Sequence, residues 1–451
     1  MDSHHPNAGS AVTVIGAGLA GTEAALQLAR RGVSVILLEM RPVVLNAAHK
    51  TDLLGELVCS NSFKSDDPVT AAGHLKREIG LLGSEVLRLA RQSSVPAGAA
   101  LAVDRTAFGA ALTAQVAASP NIELRREEAT EIPPDGPVIV ASGPLTSPAL
   151  QQALEQFVGP DRLAFFDASA PIVDGSSVDL DVAFAASRYD KGGGADYLNC
   201  PMDREAYDAF VAELVGADRV RAHEFETSDL FAACQPVEEI ARRSPDALRF
   251  GSMKPVGLLD PRTGERPWAV VQLRSETASG TAYNLVGFQT NLTFGEQRRV
   301  FSMIPGLGRA EFLRYGVMHR NTFINAPAVL DATLAVRTCP RIRIAGQLSG
   351  TEGYSEAISS GLLAALNTYA DMTGTPNVVL PPTTALGSLI AYATDAATTG
   401  YQPMHVNWGL VPPLDPPVRG KQHRYAAYSA RADRDLDACL DSLRQTVEVL
   451  P

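Results

Sequence analysis

The chain reads as an α/β protein: a nucleotide-binding unit on a parallel sheet, interrupted by a smaller mixed α/β insertion. Three observations carry that expectation. Gly16, Gly18 and Gly21 lie between an apolar strand and a helix; the next apolar run ends in Glu39; and an apolar strand closed by glycine returns at residues 341–346, beyond a long stretch rich in Pro, Gly and Asp. Strand and helix alternating after a glycine-rich first turn is the signature of a Rossmann-like doubly wound sheet.

Residues 12–15 form the first short strand and residues 16–21 the turn. Residues 22–31 then place Ala24, Ala25, Leu28 and Ala29 along one helical stripe, and Gly32 ends the helix. Residues 33–38 are a continuous apolar run, as expected of a parallel strand buried on both faces. A polar loop over 41–68 leads to a helix over 75–91, with Leu81, Leu82, Val86 and Leu89 at helical spacing. Residues 137–141 are another buried strand, closed by Ser142-Gly143-Pro144.

From about Phe165 the composition changes, and residues 269–273 and 283–289 read as an antiparallel pair. After the strand at 341–345 come a helix over about 355–367, a Pro- and Gly-rich loop over 381–417 and a polar helix over 432–449. The expected organisation is a disordered tail at 1–10, the first part of the nucleotide domain at 11–165, the insertion at 166–315, and the second part with its C-terminal helix at 316–451.

A chain of 451 residues, 45% hydrophobic and 20% charged, has room for two or three ordinary globular cores. The net charge of −11 argues against a generally basic nucleic-acid coat but leaves room for a local basic face. Cys59, Cys200, Cys234, Cys339 and Cys439 are scattered and form no CxxC pair, so neither a disulfide framework nor a metal site is expected. Reduced thiols, a polar start at residues 1–10 and no apolar run of about eighteen residues point to a cytoplasmic protein without a membrane span.

In the glycine turn, Gly16 permits the tight bend, Gly18 lets backbone approach a pyrophosphate, and Gly21 allows close helix–strand contact. Ala17, Leu19 and Ala20 complete the loop, whose helix start offers N–H groups and partial positive charge to phosphates. Glu39 is placed to accept hydrogen bonds from a ribose. S-adenosylmethionine also binds such a turn and is the main rival ligand. The extreme N-terminal position, the strand-turn at 138–143 and the run Ile344-Ala345-Gly346-Gln347 favour FAD. Gln347 stands where many flavoproteins carry Asp, so it would bond through an amide. A helix beginning near Ser355 would aim its positive end at the flavin and stabilise the anionic reduced form.

Several further stretches are specific. They are Lys50-Thr51-Asp52 with Glu56-Leu57-Val58-Cys59-Ser60-Asn61-Ser62; Cys234-Gln235-Pro236-Val237-Glu238-Glu239-Ile240-Ala241-Arg242; Gly316-Val317-Met318-His319-Arg320-Asn321-Thr322-Phe323; and Gly346-Gln347-Leu348-Ser349-Gly350-Thr351-Glu352-Gly353-Tyr354. From Val12 to about Met404 the chain resembles the folate- and FAD-dependent tRNA (uracil-5-)-methyltransferase family, TrmFO. The flavoproteins that modify the wobble uridine of tRNA share the glycine turn but differ around the two cysteines. His405 and Trp408 depart from the Asn and Phe more usual in the family.

The resemblance implies methylation of carbon 5 of a T-loop uridine in tRNA, with methylenetetrahydrofolate as one-carbon donor, reduced FAD as hydride source and NADH or NADPH as reductant. Carbon 5 of uracil is a poor nucleophile until a thiolate adds at carbon 6. Cys234, just before Pro236 and a helical run, is the expected nucleophile, its thiol favoured by a helix start and Arg242 or Arg243 but opposed by Glu238 and Glu239. Cys59 is by resemblance the second catalytic cysteine, and Tyr354 would stack on flavin or pterin. His319, Arg320, Arg337, Arg341 and Arg343 are candidates for RNA phosphates, with solvated surface as the plain alternative. Ribosomal RNA as substrate, a small-molecule flavin oxidoreductase and a non-catalytic RNA-binding flavoprotein remain open, as does the oligomeric state.

Overall fold

The computed structural model describes residues 11–45, 49–159, 163–168, 170–190, 195–220, 235–275, 282–316, 318–397, 401 and 403–446. A six-stranded sheet runs in the order Ala335–Val336, Cys339–Ile344, Val138–Val140, Val12–Ile15, Val35–Leu38, Ile122–Arg125. Every pairing is parallel except the edge hairpin of its first two strands. Val12–Ile15 lies inside the sheet, with Val12 and Val14 fully enclosed on one face and, on the other, Ile15 buried and Thr13 half-buried.

The Leu19–Ala29 helix follows the first strand and packs against the long Tyr354–Thr373 helix. A Cβ on Gly361 would meet the Ala20 carbonyl oxygen at 2.2 Å. The missing side chain is what lets the two backbones touch, and this contact draws a C-terminal helix onto the N-terminal turn.

A second six-stranded sheet is antiparallel throughout, ordered Phe184–Ala185, Tyr197–Met202, Ala269–Ser275, Ala282–Leu285, Ile172–Asp174, Phe312–Arg314. It has its own apolar core, including Met202, Phe210, Val271, Leu285, Phe288 and Phe301. Leu163–Ala168, the strand leading towards this sheet, pairs antiparallel with the returning strand Met318–Phe323. A small sheet of Ser62–Ser65, Ala100–Val103 and Ser94–Val95 completes the set.

Four expectations change. The loop expected over 41–68 contains the strand Ser62–Ser65, paired antiparallel with Ala100–Val103. The helix expected over 75–91 is two, Ala71–Leu81 and Glu85–Gln92. Gly83, at φ +77°, reverses the chain between them, and the Ser84 hydroxyl caps the second by accepting from the Leu87 N–H at 3.1 Å. The loop expected over 381–417 contains the helix Ala385–Thr394, capped by Thr384 and by the buried Glu78 carboxylate, which accepts from the N–H groups of Ala385 and Leu386 at 2.6 and 2.7 Å. The last helix, expected over 432–449, is Lys421–Thr446. Its polar side chains hide the register, and it is held by Trp408 stacked on Tyr428 and Arg77 paired with Asp433 at 2.7 Å.

Candidate active site

The three turn glycines answer to three different constraints. Gly16 has φ +96°, and a Cβ there would lie 2.6 Å from the Ala141 carbonyl oxygen. A Cβ on Gly21 would lie 1.8 Å from the Gly16 carbonyl oxygen, which fixes the helix against the strand end. Gly18 is extended, and a Cβ there would meet no atom of the described residues within 4 Å. The backbone is therefore open at Gly18, and it is open again at Gly143, φ +72°, after the Val138–Val140 strand. Among the described residues no side chain caps the Leu19–Ala29 helix, and its first turn carries no acid. An uncapped helix start behind an open glycine face fits a pyrophosphate.

Glu39 closes the second strand and turns back to this loop, accepting from the Ala17 N–H at 3.0 Å. It also accepts from Arg41, at 3.1 Å from the backbone and 2.8 Å from Nε. Burial opposes its ionisation, but the Arg41 guanidinium and these N–H groups hold its carboxyl below the usual carboxylate range. Arg41, 2% exposed, also donates to Glu56 at 3.0 Å and to the Thr51 carbonyl at 3.2 Å. Glu56 in turn accepts the N–H groups of Lys50 and Thr51 at 2.8 and 3.0 Å. Sequence reasoning missed Arg41; the signal available was an arginine two residues after the acid that closes the strand.

The late strand returns to the same place. Gly346, at φ +74°, sits where a Cβ would be 3.2 Å from the Ala20 Cβ, and its N–H donates to the Ser360 hydroxyl at 2.8 Å. Gln347 is half-buried beside it. The Tyr354–Thr373 helix starts at Gly353 with no side-chain cap, and Ser355 Oγ is buried without a partner among the described residues. An orphaned hydroxyl at a bare helix start suits a polar ligand edge. Glu356 in that first turn works against an anion, partly offset by Lys64, whose Nζ lies 3.4 Å away.

Cys59 is half-buried and in no disulfide, in the loop expected from sequence. The Tyr354 hydroxyl accepts from the N–H groups of Cys59 and Ser60 at 3.0 and 3.1 Å, while its ring lies tilted on Phe63 at 5.5 Å. Burial, with the Cys59 charge beside it, pushes this hydroxyl well above the ordinary phenol range, so Tyr354 stays neutral at physiological pH. The structure thus joins Gly16–Gly21, Glu39 and Gly346 in one region, and Cys59 with Tyr354 in another bound to the same long helix.

Cys234 lies outside the described residues. The helix expected after it is Val237–Arg243, with Pro236 as its N-cap residue. Arg242 donates to the Val215 carbonyl at 2.6 Å and Glu239 pairs with Arg219. Glu238 is buried, accepting from Thr290 at 2.9 Å and the Asn291 N–H at 2.7 Å.

Arg343 is no surface phosphate ligand: it is buried, donating to Asp371 at 2.6 Å. Arg337 and Arg341 bond to the carbonyls of Thr394 and Gly136 at 3.0 and 3.2 Å, and the side chains of His319 and Arg320 lie outside the described residues. Cys200 is structural, its thiol pushed by burial to about 12. Among the described residues no cluster of three or more His, Cys, Asp or Glu could hold a metal, and no helix is long and apolar enough to cross a membrane.

Residues 11–376 match the model of the family described as glucose inhibited division protein A. The methylenetetrahydrofolate–tRNA-(uracil-5-)-methyltransferase TrmFO of Symbiobacterium thermophilum is 54% identical over 424 residues, covering 93% of this chain and 95% of that protein. The protein of the same name from Myxococcus xanthus is 52% identical over 433 residues, covering 95% and 94%. The solved GidA of Aquifex aeolicus superposes with a TM-score of 0.68 over 96% of this chain and 76% of that one, at 17% identity, a likeness of fold alone.

Proposed function

This chain belongs to the TrmFO family and carries the glucose inhibited division protein A family domain, and we propose on that premise that it methylates carbon 5 of a T-loop uridine in tRNA. The observation that carries this reading is identity above half over nearly the whole chain to proteins named for that reaction. The open glycine face and the tethered Cys59 loop are what such a reaction requires of the fold.

FAD would lie on Gly16, Ala17, Gly18, Leu19, Ala20 and Gly21, with Glu39 at its ribose and Gly346 and Gln347 at its ring. Bound there, reduced FAD would supply the hydride that a unit from methylenetetrahydrofolate lacks relative to a methyl group, with NADH or NADPH as the source of reducing equivalents. The Cys234 thiolate adds to carbon 6 of uracil and sends the double-bond pair onto the carbon 4 oxygen. Carbon 5 then bonds to the one-carbon unit and gives up its proton, with Cys59 assisting; the unit's bond to the folate nitrogen breaks, with the electron pair leaving on that nitrogen, a hydride that reduced FAD would supply completes the methyl group, and the thiolate leaves as the ring double bond returns. Tyr354 stacks on flavin or pterin. The antiparallel sheet, at residues 166–315, is an insertion in the nucleotide domain, and the enzyme works in the cytoplasm.

Purified protein should be yellow and should move label from methylenetetrahydrofolate to carbon 5 of an unmodified tRNA transcript when NADH or NADPH is present. Methyl transfer from S-adenosylmethionine without folate and reductant would overturn the reading. Label on ribosomal RNA but not on tRNA would move the substrate.

A further inference from the structure

Cys59 sits in a polar loop that belongs to no helix or strand, yet a reactive thiol must be held to within a fraction of an ångström. Among the described residues, three side chains from other elements bond to its loop. The Tyr354 hydroxyl takes the N–H groups of Cys59 and Ser60, and Arg105 Nη1 donates to the Leu57 carbonyl at 2.7 Å. The third, Arg274, comes from the antiparallel sheet, near the end of the Ala269–Ser275 strand.

We propose that Arg274 is a positioning residue for Cys59, the means by which the second sheet sets the geometry of the thiol loop; this rests on reading Cys59 as a reactive cysteine. Arg274 Nε donates to Asn61 Oδ1 at 2.9 Å and its Nη2 to Ser60 Oγ at 2.8 Å. Nε and Nη2 form one edge of a planar guanidinium, so the fork onto consecutive residues fixes the orientation of the loop as well as its distance. Asn61, fully buried, returns its amide to the carbonyls of Val103 and Ser275 at 3.0 and 2.7 Å. Arg274 also bonds to the side chain of Tyr197, whose hydroxyl donates to the Ala97 carbonyl at 2.9 Å. No part of this node can swivel without stranding a buried polar group. Mere adhesion between two sheets would be served as well by apolar residues, which carry no desolvation cost.

The test uses the FAD-loaded full chain and compares Arg274→Ala, Arg274→Lys and Cys59→Ala. Flavin content, kcat and KM for tRNA methylation, and the rate of Cys59 alkylation by iodoacetamide, read by peptide mass spectrometry across pH, are measured. Arg274→Ala should keep its flavin and hold KM within about threefold, lose about 10- to 100-fold in kcat, and alkylate Cys59 several-fold faster as the loop is released. Arg274→Lys keeps the charge but not the fork and should recover little. Wild-type kcat and alkylation in Arg274→Ala, or full recovery with lysine, would overturn the positioning role. Full activity in Cys59→Ala would instead sink the reading it rests on, while the alkylation rates would still report the latch. If Arg274→Ala does not fold, Ser60→Ala, which removes one acceptor of the fork, must show the same faster alkylation with a smaller loss of kcat; unchanged alkylation would count against the proposal.

Discussion

Gly18 and Gly21 are three residues apart and are glycine for opposite reasons. A side chain at Gly21 would collide with the Gly16 carbonyl, whereas one at Gly18 would enter open space, where the proposed cofactor would lie. Gly21→Ala should therefore cost about 1–3 kcal/mol in thermal or denaturant unfolding, while Gly18→Val should fold normally and purify colourless. Normal flavin content in Gly18→Val would remove the cofactor from this turn. Arg41 is the other decisive residue. Arg41→Met leaves Glu39 and Glu56 facing each other without their cation, and should lower stability by about 3–5 kcal/mol. The sign with pH follows from Glu39. Its folded carboxyl is held below the usual range, so its contribution is present above that range and is lost as pH falls through the folded value. Acid unfolding curves of Glu39→Gln should accordingly be flatter on the acid side than those of the wild type.

At the scale of elements, caps decided more than periodicity. Apolar spacing runs on through 75–91, yet Gly83 and Ser84 break it into two helices. Similarly, Ala385–Thr394 becomes a helix within a Pro-rich tail because Thr384 and Glu78 satisfy its first N–H groups. Burial pushes the Glu78 carboxyl up to about 8, against the pull of those two N–H groups. An acid raised in the folded state costs nothing below its unfolded value; stability is then lost as pH rises towards the folded one. Between pH 5 and 8 the wild type should lose stability that Glu78→Gln retains, read as the difference in melting temperature between the two pH values. A parallel decline in both proteins would show that Glu78 is not the titrating group.

For the whole molecule, the proposed chemistry would call on both bodies. Cys59 belongs to the parallel-sheet unit, and the Val237–Arg243 helix that follows Cys234 packs in the core of the antiparallel sheet. Cys234→Ala should keep flavin and its reduction by NADH or NADPH while losing methyl transfer. Wild-type enzyme should crosslink to RNA carrying 5-fluorouracil at the target, because fluorine blocks the proton loss that follows addition. If Cys234→Ala still crosslinks and Cys59→Ala does not, the two cysteines exchange roles.

The strand, glycine turn, helix and terminal acid at residues 12–39 were legible because each depends on neighbours within a few residues. The two cysteine motifs are contiguous words, and the family resemblance they carried is borne out by identity of 52–54% to TrmFO proteins. Glu78 and Arg274 were not legible. Their side chains carry no periodicity, and what makes them matter is a partner brought from elsewhere: Glu78 meets Ala385 across 307 residues, and Arg274 meets Asn61 across 213. The amino-acid order specified the first strand, its turn and the helix after it, with backbone left open at Gly18. Which loop meets which sheet was settled by burial, because a charged or amide group removed from water must find its partners wherever the fold puts them.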